Sequence, residues 1–215
     1  MKNKPRILIT GFQPFPGAPY NPTEKLVERL LRLRRPAFDT IKRIGHVFPV
    51  TYGAVDRQLP MLIDAHHPDA LLMFGLAARA PFIRIETRAR NTITQIWPDA
   101  EHTQIRSRSI VANSDSTRRF GPHTLRLLRA AQMTGVDARA SLSAGYYLCN
   151  YLSWRAIEAT RLEDGPRLAS FIHVPLVPRN PAECHAPGRL TFEQLVDAGE
   201  AMLMEMARLA RHQAA

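Results

Sequence analysis

The sequence predicts an α/β fold, a three-layer α/β/α sandwich around a mixed, mostly parallel twisted sheet. Three observations carry that prediction. Short continuous apolar runs (6–11, RILITG; 70–75, ALLMFG; 170–174, SFIHV) have the length and composition of strands buried on both faces. Between them lie longer segments whose apolar residues recur at helical spacing. Strands and helices that alternate along a chain bury their apolar sides best when helices cover both faces of one sheet.

The elements follow in order. The strand at 6–11 opens into residues 12–17 (FQPFPG), a loop with two aromatics among turn-forming residues. Asn21 then caps a helix with Pro22 at its first position and Leu26, Val27, Leu30, Leu31 and Leu33 on its apolar side. Residues 40–50 read as a second strand, interrupted at Gly45. Residues 53–66 read as a helix with Val55, Leu59, Leu62 and Ile63 inward and Pro60 marking a kink. After the strand at 70–75, residues 83–91 (IRIETRARN) alternate like one half-buried strand. The polar stretch 92–120 reads as loops with one or two short strands. Residues 124–133 predict a helix on Leu125, Leu127, Leu128 and Ala131, ended near Gly135. A strand ends within 138–142, residues 143–145 turn, and Tyr147, Leu148, Tyr151, Leu152 and Ile157 then repeat at helical spacing. The strand at 170–174 follows. Residues 191–212 close the chain as a long helix started by Thr191 and Glu193, with Leu195, Val196, Met202, Leu203, Met206 and Leu209 inward. No repeat, low-complexity tract or linker appears, so a single domain over 1–215 is expected.

The totals narrow the function classes. Apolar residues make up 45% of the chain and charged residues 22%, the balance of an ordered globular domain. The net charge of +10 raises a nucleic-acid hypothesis. However, the arginines are spread along the chain. Their densest cluster (Arg29, Arg32, Arg34, Arg35) falls at a helix end, where cations complement the dipole, and no aromatics interleave with it. No nucleic-acid partner is therefore expected. Two cysteines, Cys149 and Cys184, make no disulfide framework and suit a reducing compartment. No signal-like stretch precedes the first strand and no run approaches a membrane span, so a cytoplasmic protein without a membrane partner is expected.

The chemistry concentrates at 138–154 (ARASLSAGYYLCNYLSW). Cys149 is placed about one turn into the helix that follows the turn at 143–145. Unpaired N–H groups at a helix N-terminus favour a thiolate and can receive an oxyanion when that thiolate attacks a carbonyl. The competing account is a small buried hydrophobe. A thiol nucleophile also needs a base, and usually a third group to orient the base. Of eight histidines, His66 and His67 end a helix, while His46, His102, His123 and His212 lie in polar or terminal surroundings. His185 adjoins Cys184 in a Pro-flanked loop, but neighbouring side chains on an extended segment point apart, which argues against a dyad there. His173 stands out as polar within the apolar run FIHVPLV, and Glu86 closes IRIE. Each alone has an ordinary structural reading, as a satisfied core imidazole and a solvated strand carboxylate. In open α/β sheets ligands sit beyond the carboxyl ends of the strands. Phe12, Phe15, residues 76–81, Cys149 and His173 all fall at or just after strand ends and are expected to share one rim. The chain offers no HExxH or CxxC spacing, so no metal and no cofactor is expected. From the residues alone three classes stand: a thiol acyl-transfer enzyme, a binding protein built on the same residues, and a basic nucleic-acid binder.

Four segments in order carry a resemblance that ranks them. TGFQPFPG followed by Asn21-Pro22, GLA at 75–77 with Glu86-x-x-Ala89-x-Asn91, SLSAGYYLCN, and FIHVP together resemble the pyroglutamyl peptidase I (pyrrolidone-carboxyl peptidase) family of cysteine peptidases, nearly end to end. The resemblance implies an exopeptidase that removes an N-terminal pyroglutamyl residue from peptides through an acyl-enzyme. It implies Cys149 as nucleophile, His173 as base and then acid, and Glu86 as the group orienting His173. It implies Phe12 and Phe15 as aromatics holding the lactam ring, with Leu76, Trp97, Tyr147 and Leu148 at further substrate-binding positions. It also implies a homo-oligomer, a tetramer. The chain departs from the family pattern at Leu76, where the family carries glutamine, at Ala78 and Arg79, where it carries glycine, and at Ile96-Trp97, where it carries Arg-Ile. These departures bear on the substrate more than on the reaction, and a different acyl or lactam substrate is the alternative they leave.

Overall fold

The computed structural model describes residues 4–15, 17–178 and 189–212. Strands and helices alternate along them: β1 (Arg6–Phe12), α1 (Pro22–Arg32), β2 (Lys42–Phe48), α2 (Tyr52–His66), β3 (Ala70–Leu76), β4 (Ile83–Glu86), β5 (Arg88–Arg90), β6 (Thr117–Arg119), α3 (His123–Gln132), β7 (Ala138–Ser141), α4 (Leu148–Ala159), β8 (Leu168–Val174) and α5 (Phe192–His212). Six strands form one sheet in the order β2-β1-β3-β8-β4-β7, and β5 pairs with β6 apart from it. The pairs β1–β2, β1–β3, β3–β8 and β4–β7 are parallel, whereas β4 runs antiparallel to β8. The sheet is thus mixed and mainly parallel, as the sequence predicts.

Side chains alternate between the two faces of a strand, and the two cores follow that alternation. Ile7 and Ile9, Leu72 and Phe74, Ile83 and Ile85, and Ile172 and Val174 face a core shared with α1, α3 and α5. Leu8 and Phe12, Leu71 and Met73, and Ala169 and Phe171 face a second core shared with α2 and α4. By the same period Gly75, Arg84, Glu86, Ser141 and His173 fall on the α2/α4 face. That parity assembles the site.

The helix starts are chemically explicit. Asn21 Oδ1 accepts from Thr23 N at 3.1 Å, with Pro22 at the first helical position, and Thr51 Oγ1 accepts from Ala54 N at 3.2 Å. At α5, Thr191 Oγ1 accepts from Gln194 N and Gln194 Oε1 accepts from Thr191 N, so the reciprocal partner is Gln194 rather than Glu193.

Several expectations need correction. β2 runs through Gly45 without interruption, because the missing Cβ leaves room for Leu31 of α1, which a Cβ would strike. The strand expected at 83–91 is two strands, for the chain leaves the main sheet at Thr87 and pairs with β6. Leu125, expected inward on α3, is 55% exposed, and the face that packs carries Leu127 and Ala131. His123, expected in polar surroundings, is buried with Nε2 2.9 Å from the Ala169 carbonyl. The rival pair Cys184 and His185 lies outside the described residues.

Candidate active site

The shared rim predicted from strand ends holds only in part. Phe12, Leu76 and His173 do lie at or near the carboxyl ends of β1, β3 and β8. β4 and β7 run the other way, entering at that rim and going inward for four residues each. Register places Arg84 opposite His173 and Glu86 opposite Phe171. Glu86 therefore sits on the sheet face, diagonal to His173, and not beyond an edge.

Cys149 is the second residue of α4, nearer the terminus than the full turn expected. The segment 142–147 carries the chain from the end of β7 to Tyr147, the residue before the helix, with Gly145 at φ +82°, a conformation that favours glycine. Unlike α1 and α2, α4 has no side-chain cap. Its first N–H groups, those of Leu148, Cys149 and Asn150, have no intrahelical acceptor by construction. The sulfur lies over β3: a Cβ built on Gly75 would meet Sγ at 2.8 Å and the Phe171 ring at 2.6 Å. Glycine at 75 is what lets a sulfur sit against the sheet backbone.

His173 is 5% exposed and Glu86 is fully buried. His173 Nδ1 donates to Glu86 Oε1 at 2.8 Å, which leaves Nε2 for the thiol. Burial by itself would lower the proton affinity of this imidazole. The charge of Cys149, a hydrogen bond to it, and the hydrogen bond and charge of Glu86 together outweigh burial and raise the pKa from 6.5 to about 9. The Phe171 ring packs edge-on to the imidazole, with centroids 5.0 Å apart. A thiol, an imidazole and a carboxylate so ordered can pass a proton from sulfur to nitrogen and hold the resulting cation.

Asn150 fixes the helix carrying the thiol. Fully buried, it accepts from Arg90 N at 2.9 Å and donates to the carbonyls of Arg90 at 2.8 Å and Thr92 at 2.9 Å. Tyr151 donates to Asp56 of α2, and Arg155 Nη2 donates to the same phenol oxygen at 2.9 Å. Arg118 pairs with Glu158 at 2.6 Å and stacks on Trp154 at 4.2 Å.

A cavity of about 450 Å³ is lined by Phe15, Gly17, Trp97, Pro98, Asp99, Ala100, His102 and Tyr147. Tyr147, which flanks the thiol, gives the cavity one wall, and Phe15 packs on it with ring centroids 6.1 Å apart. Burial first, then the charges of Asp99 and Cys149, push the Tyr147 phenol up to about 12, so it is a neutral donor, given to the Pro98 carbonyl at 2.9 Å. Asp99 is consumed structurally, accepting from Tyr52 N, Glu101 N and Thr103 N. Of the residues the resemblance names for the substrate, Phe15, Trp97 and Tyr147 line this cavity, and Trp97 is 63% exposed. Phe12 and Leu148 are buried beneath, with Phe12 against Phe48 at 6.0 Å. Leu76 sits at the end of β3, away from that lining, and Ala78 and Arg79 line a separate cavity of about 400 Å³ with Leu176 and Leu190. Among the described residues no group of three or more His, Cys, Asp or Glu is placed to hold a metal ion, and no helix is long and apolar enough to cross a membrane.

An acidic-residue-backed imidazole beside a thiol at a helix N-terminus, on a three-layer α/β/α sandwich, is the arrangement of a thiol hydrolase. The model of one such family, pyroglutamyl peptidase, matches residues 5–208, and the chain belongs to that family. The chain is 31% identical over 173 residues to the pyrrolidone-carboxylate peptidase of Pyrococcus furiosus, covering 80% of this chain and 82% of the relative. Its counterpart in Vibrio vulnificus strain CMCP6 is 29% identical over 201 residues, covering 93% and 91%. The solved pyrrolidone carboxyl peptidase of Thermococcus litoralis superposes with a TM-score of 0.84 at 25% identity, covering 97% of this chain and 96% of that one.

Proposed function

We propose that Cys149 is the nucleophile, His173 the proton carrier and Glu86 its orienting carboxylate in a cysteine peptidase that removes N-terminal pyroglutamate from peptides. Membership of the pyroglutamyl peptidase family supports the reaction. The observation that carries the assignment of residues is the His173 imidazole held between a buried carboxylate and a thiol at an uncapped helix start.

The geometry supports the following steps. The thiolate adds to the carbonyl carbon of the pyroglutamyl residue, and the carbonyl oxygen takes the electron pair. Free N–H groups at the uncapped start of α4 can receive that oxyanion. His173 gives its Nε2 proton to the departing amine as the C–N bond breaks, which leaves a thioester on Cys149. Water then adds to the thioester with His173 as base, and pyroglutamate leaves as the thiolate reforms. Glu86 keeps the Nδ1–H tautomer throughout and offsets the imidazolium charge. The lactam carries no charge, so the aromatic walls Phe15, Trp97 and Tyr147, supported by Phe12 and Leu148 with Leu76 at the strand end, suit it. We read the chain as one peptidase domain acting in the cytoplasm as a homo-oligomer, a tetramer by resemblance. Light scattering on the purified protein tests the last point.

The purified protein is expected to release a fluorophore from a pyroglutamyl amide and not from prolyl or glutamyl amides. Cys149→Ala should abolish that release while the circular dichroism spectrum stays unchanged. Cleavage that survives Cys149→Ala would remove the nucleophile assignment.

A further inference from the structure

We infer that Arg84 is a positioning residue that ties the carboxylate behind the base to the turn ahead of the nucleophile. The inference rests on the assignment of Cys149, His173 and Glu86 given above. Arg84 and Glu86 are two apart on β4 and so share a face. Arg84 Nη2 lies 3.2 Å from Glu86 Oε1, the same oxygen that accepts from His173. Nη2 also donates to Ser141 Oγ at 2.7 Å and to the Ser143 carbonyl, and Nε reaches Ser141 Oγ at 3.3 Å. Ser141 ends β7, and Ser143 opens the turn that runs through Gly145 into α4.

One guanidinium thus joins the carboxylate that holds the base to the turn that leads into the helix of the thiol. The need for it shows at Glu86: Oε2 is buried without a hydrogen-bond partner among the described residues, so Oε1 alone fixes the carboxylate. Each contact on Oε1 restrains the direction in which His173 is held. At the other end, the Ser143 carbonyl anchors a turn that also relies on short local bonds, Ser143 N to Ser141 Oγ and Gly145 N to Ser143 Oγ, both at 3.3 Å. The planar guanidinium holds its donors in fixed directions, Nη2 facing all three oxygens and Nε facing Ser141 Oγ, whereas an ammonium is a point charge on a flexible stem. Arg84 touches no reacting atom, so its effect is on alignment.

The test compares Arg84→Met, Arg84→Lys and Ser141→Ala with the unaltered protein, using steady-state cleavage of a pyroglutamyl amide and thermal melting. Arg84→Met is expected to lower kcat by roughly 10- to 100-fold, the scale of a displaced catalytic group, with KM changed by less than about 3-fold. Arg84→Lys should recover part of that loss, and Ser141→Ala should lose less than Arg84→Met does. A residue that only stabilises the fold would lower the melting temperature and the active fraction together, leaving kcat per active site, counted by thiol titration, unchanged. The inference is overturned if kcat per titrated thiol in Arg84→Met stays within about twofold of the unaltered value, or if Arg84→Lys is no better than Arg84→Met. Cys149→Ser, measured alongside, separates the two levels: activity in that variant sinks the triad itself, whereas its inactivity together with a normal Arg84→Met sinks only the role of Arg84.

Discussion

Replacing Glu86 with Gln should move the alkaline limb of the activity profile downward. In the proposed mechanism a thiolate is paired with an imidazolium, so activity should fall at high pH as His173 loses its proton. His173 titrates at about 9 in place of 6.5, with burial opposing the rise and Cys149 contributing more to it than Glu86. Glutamine keeps an oxygen for Nδ1–H at the 2.8 Å position but removes the charge. A nearby opposite charge is worth about 1–3 pKa units, and Glu86 is the lesser of the two anions, so the low end applies. The limb should move down by roughly one unit, and kcat should fall because the imidazolium loses its buried counter-charge. The assay is kcat/KM for a pyroglutamyl amide across neutral to strongly alkaline pH in both proteins. An alkaline limb that stays in place, or that rises, would refute the claim that Glu86 holds charge against His173.

The same packing sets three further outcomes. Gly75→Ala drives a methyl to within 2.8 Å of the sulfur and 2.6 Å of the Phe171 ring. Overpacking of this kind costs about 1–3 kcal/mol, and a shifted sulfur should cost about 100-fold in kcat, so activity in kinetic assays should fall far more than the melting temperature does. Asn150→Ala strips partners from Arg90 N and from the carbonyls of Arg90 and Thr92, each a loss of about 1–3 kcal/mol when buried. Urea unfolding should show that loss, with a larger one for Asp, which sets a charged oxygen against two carbonyls. Finally, His173 holds its proton more tightly folded than unfolded, so its contribution to stability is complete below its ordinary value of 6.5 and is lost as pH rises through about 9. Melting temperatures should drop across that window, and Cys149→Ala should flatten the drop, because Cys149 contributes most to the rise.

How much of this the sequence could reveal depends on the range of the interaction. Cys149 and His173 are legible because each is a reactive group in an apolar run, whereas Glu86, within the alternating IRIETRARN, reads as a solvated carboxylate and is singled out only through the resemblance. A period of two already puts Arg84 beside Glu86 and His173 in line with Phe171. Strand direction is not a local property: nothing within IRIE shows that β4 runs against β8. The departure at Thr87 was hidden for the same reason, since the alternation of 83–91 continues unbroken while the pairing partner changes from β7 and β8 to β6. Leu125 failed differently, because helical spacing gives a stripe but not its width, and α3 buries only its Leu127 side. The loop that carries Trp97 had no pattern to read. Scattered polar contacts fold it: Asn91 accepts from Ile110 N and Val111 N and donates to the Val111 carbonyl, Asp99 accepts from Tyr52 N and Thr103 N, and Tyr147 donates to the Pro98 carbonyl.

The direction of β4 has a chemical consequence. A strand parallel to β8 would deliver its last residue beyond the rim, level with Val174 or further, and a carboxylate there would face solvent. Entering at the rim and stopping after four residues, β4 instead leaves Glu86 level with Phe171, two residues below His173 on the same face. From that place its carboxylate reaches Nδ1 from beneath while Nε2 stays open to the sulfur above. The carboxylate is fully buried there, on a strand between β7 and β8 and with Arg84 and His173 against it. A buried anion next to an imidazole favours the cation more strongly than an exposed one, so the antiparallel strand supplies both the alignment of the imidazole and the low-dielectric setting that makes Glu86 count.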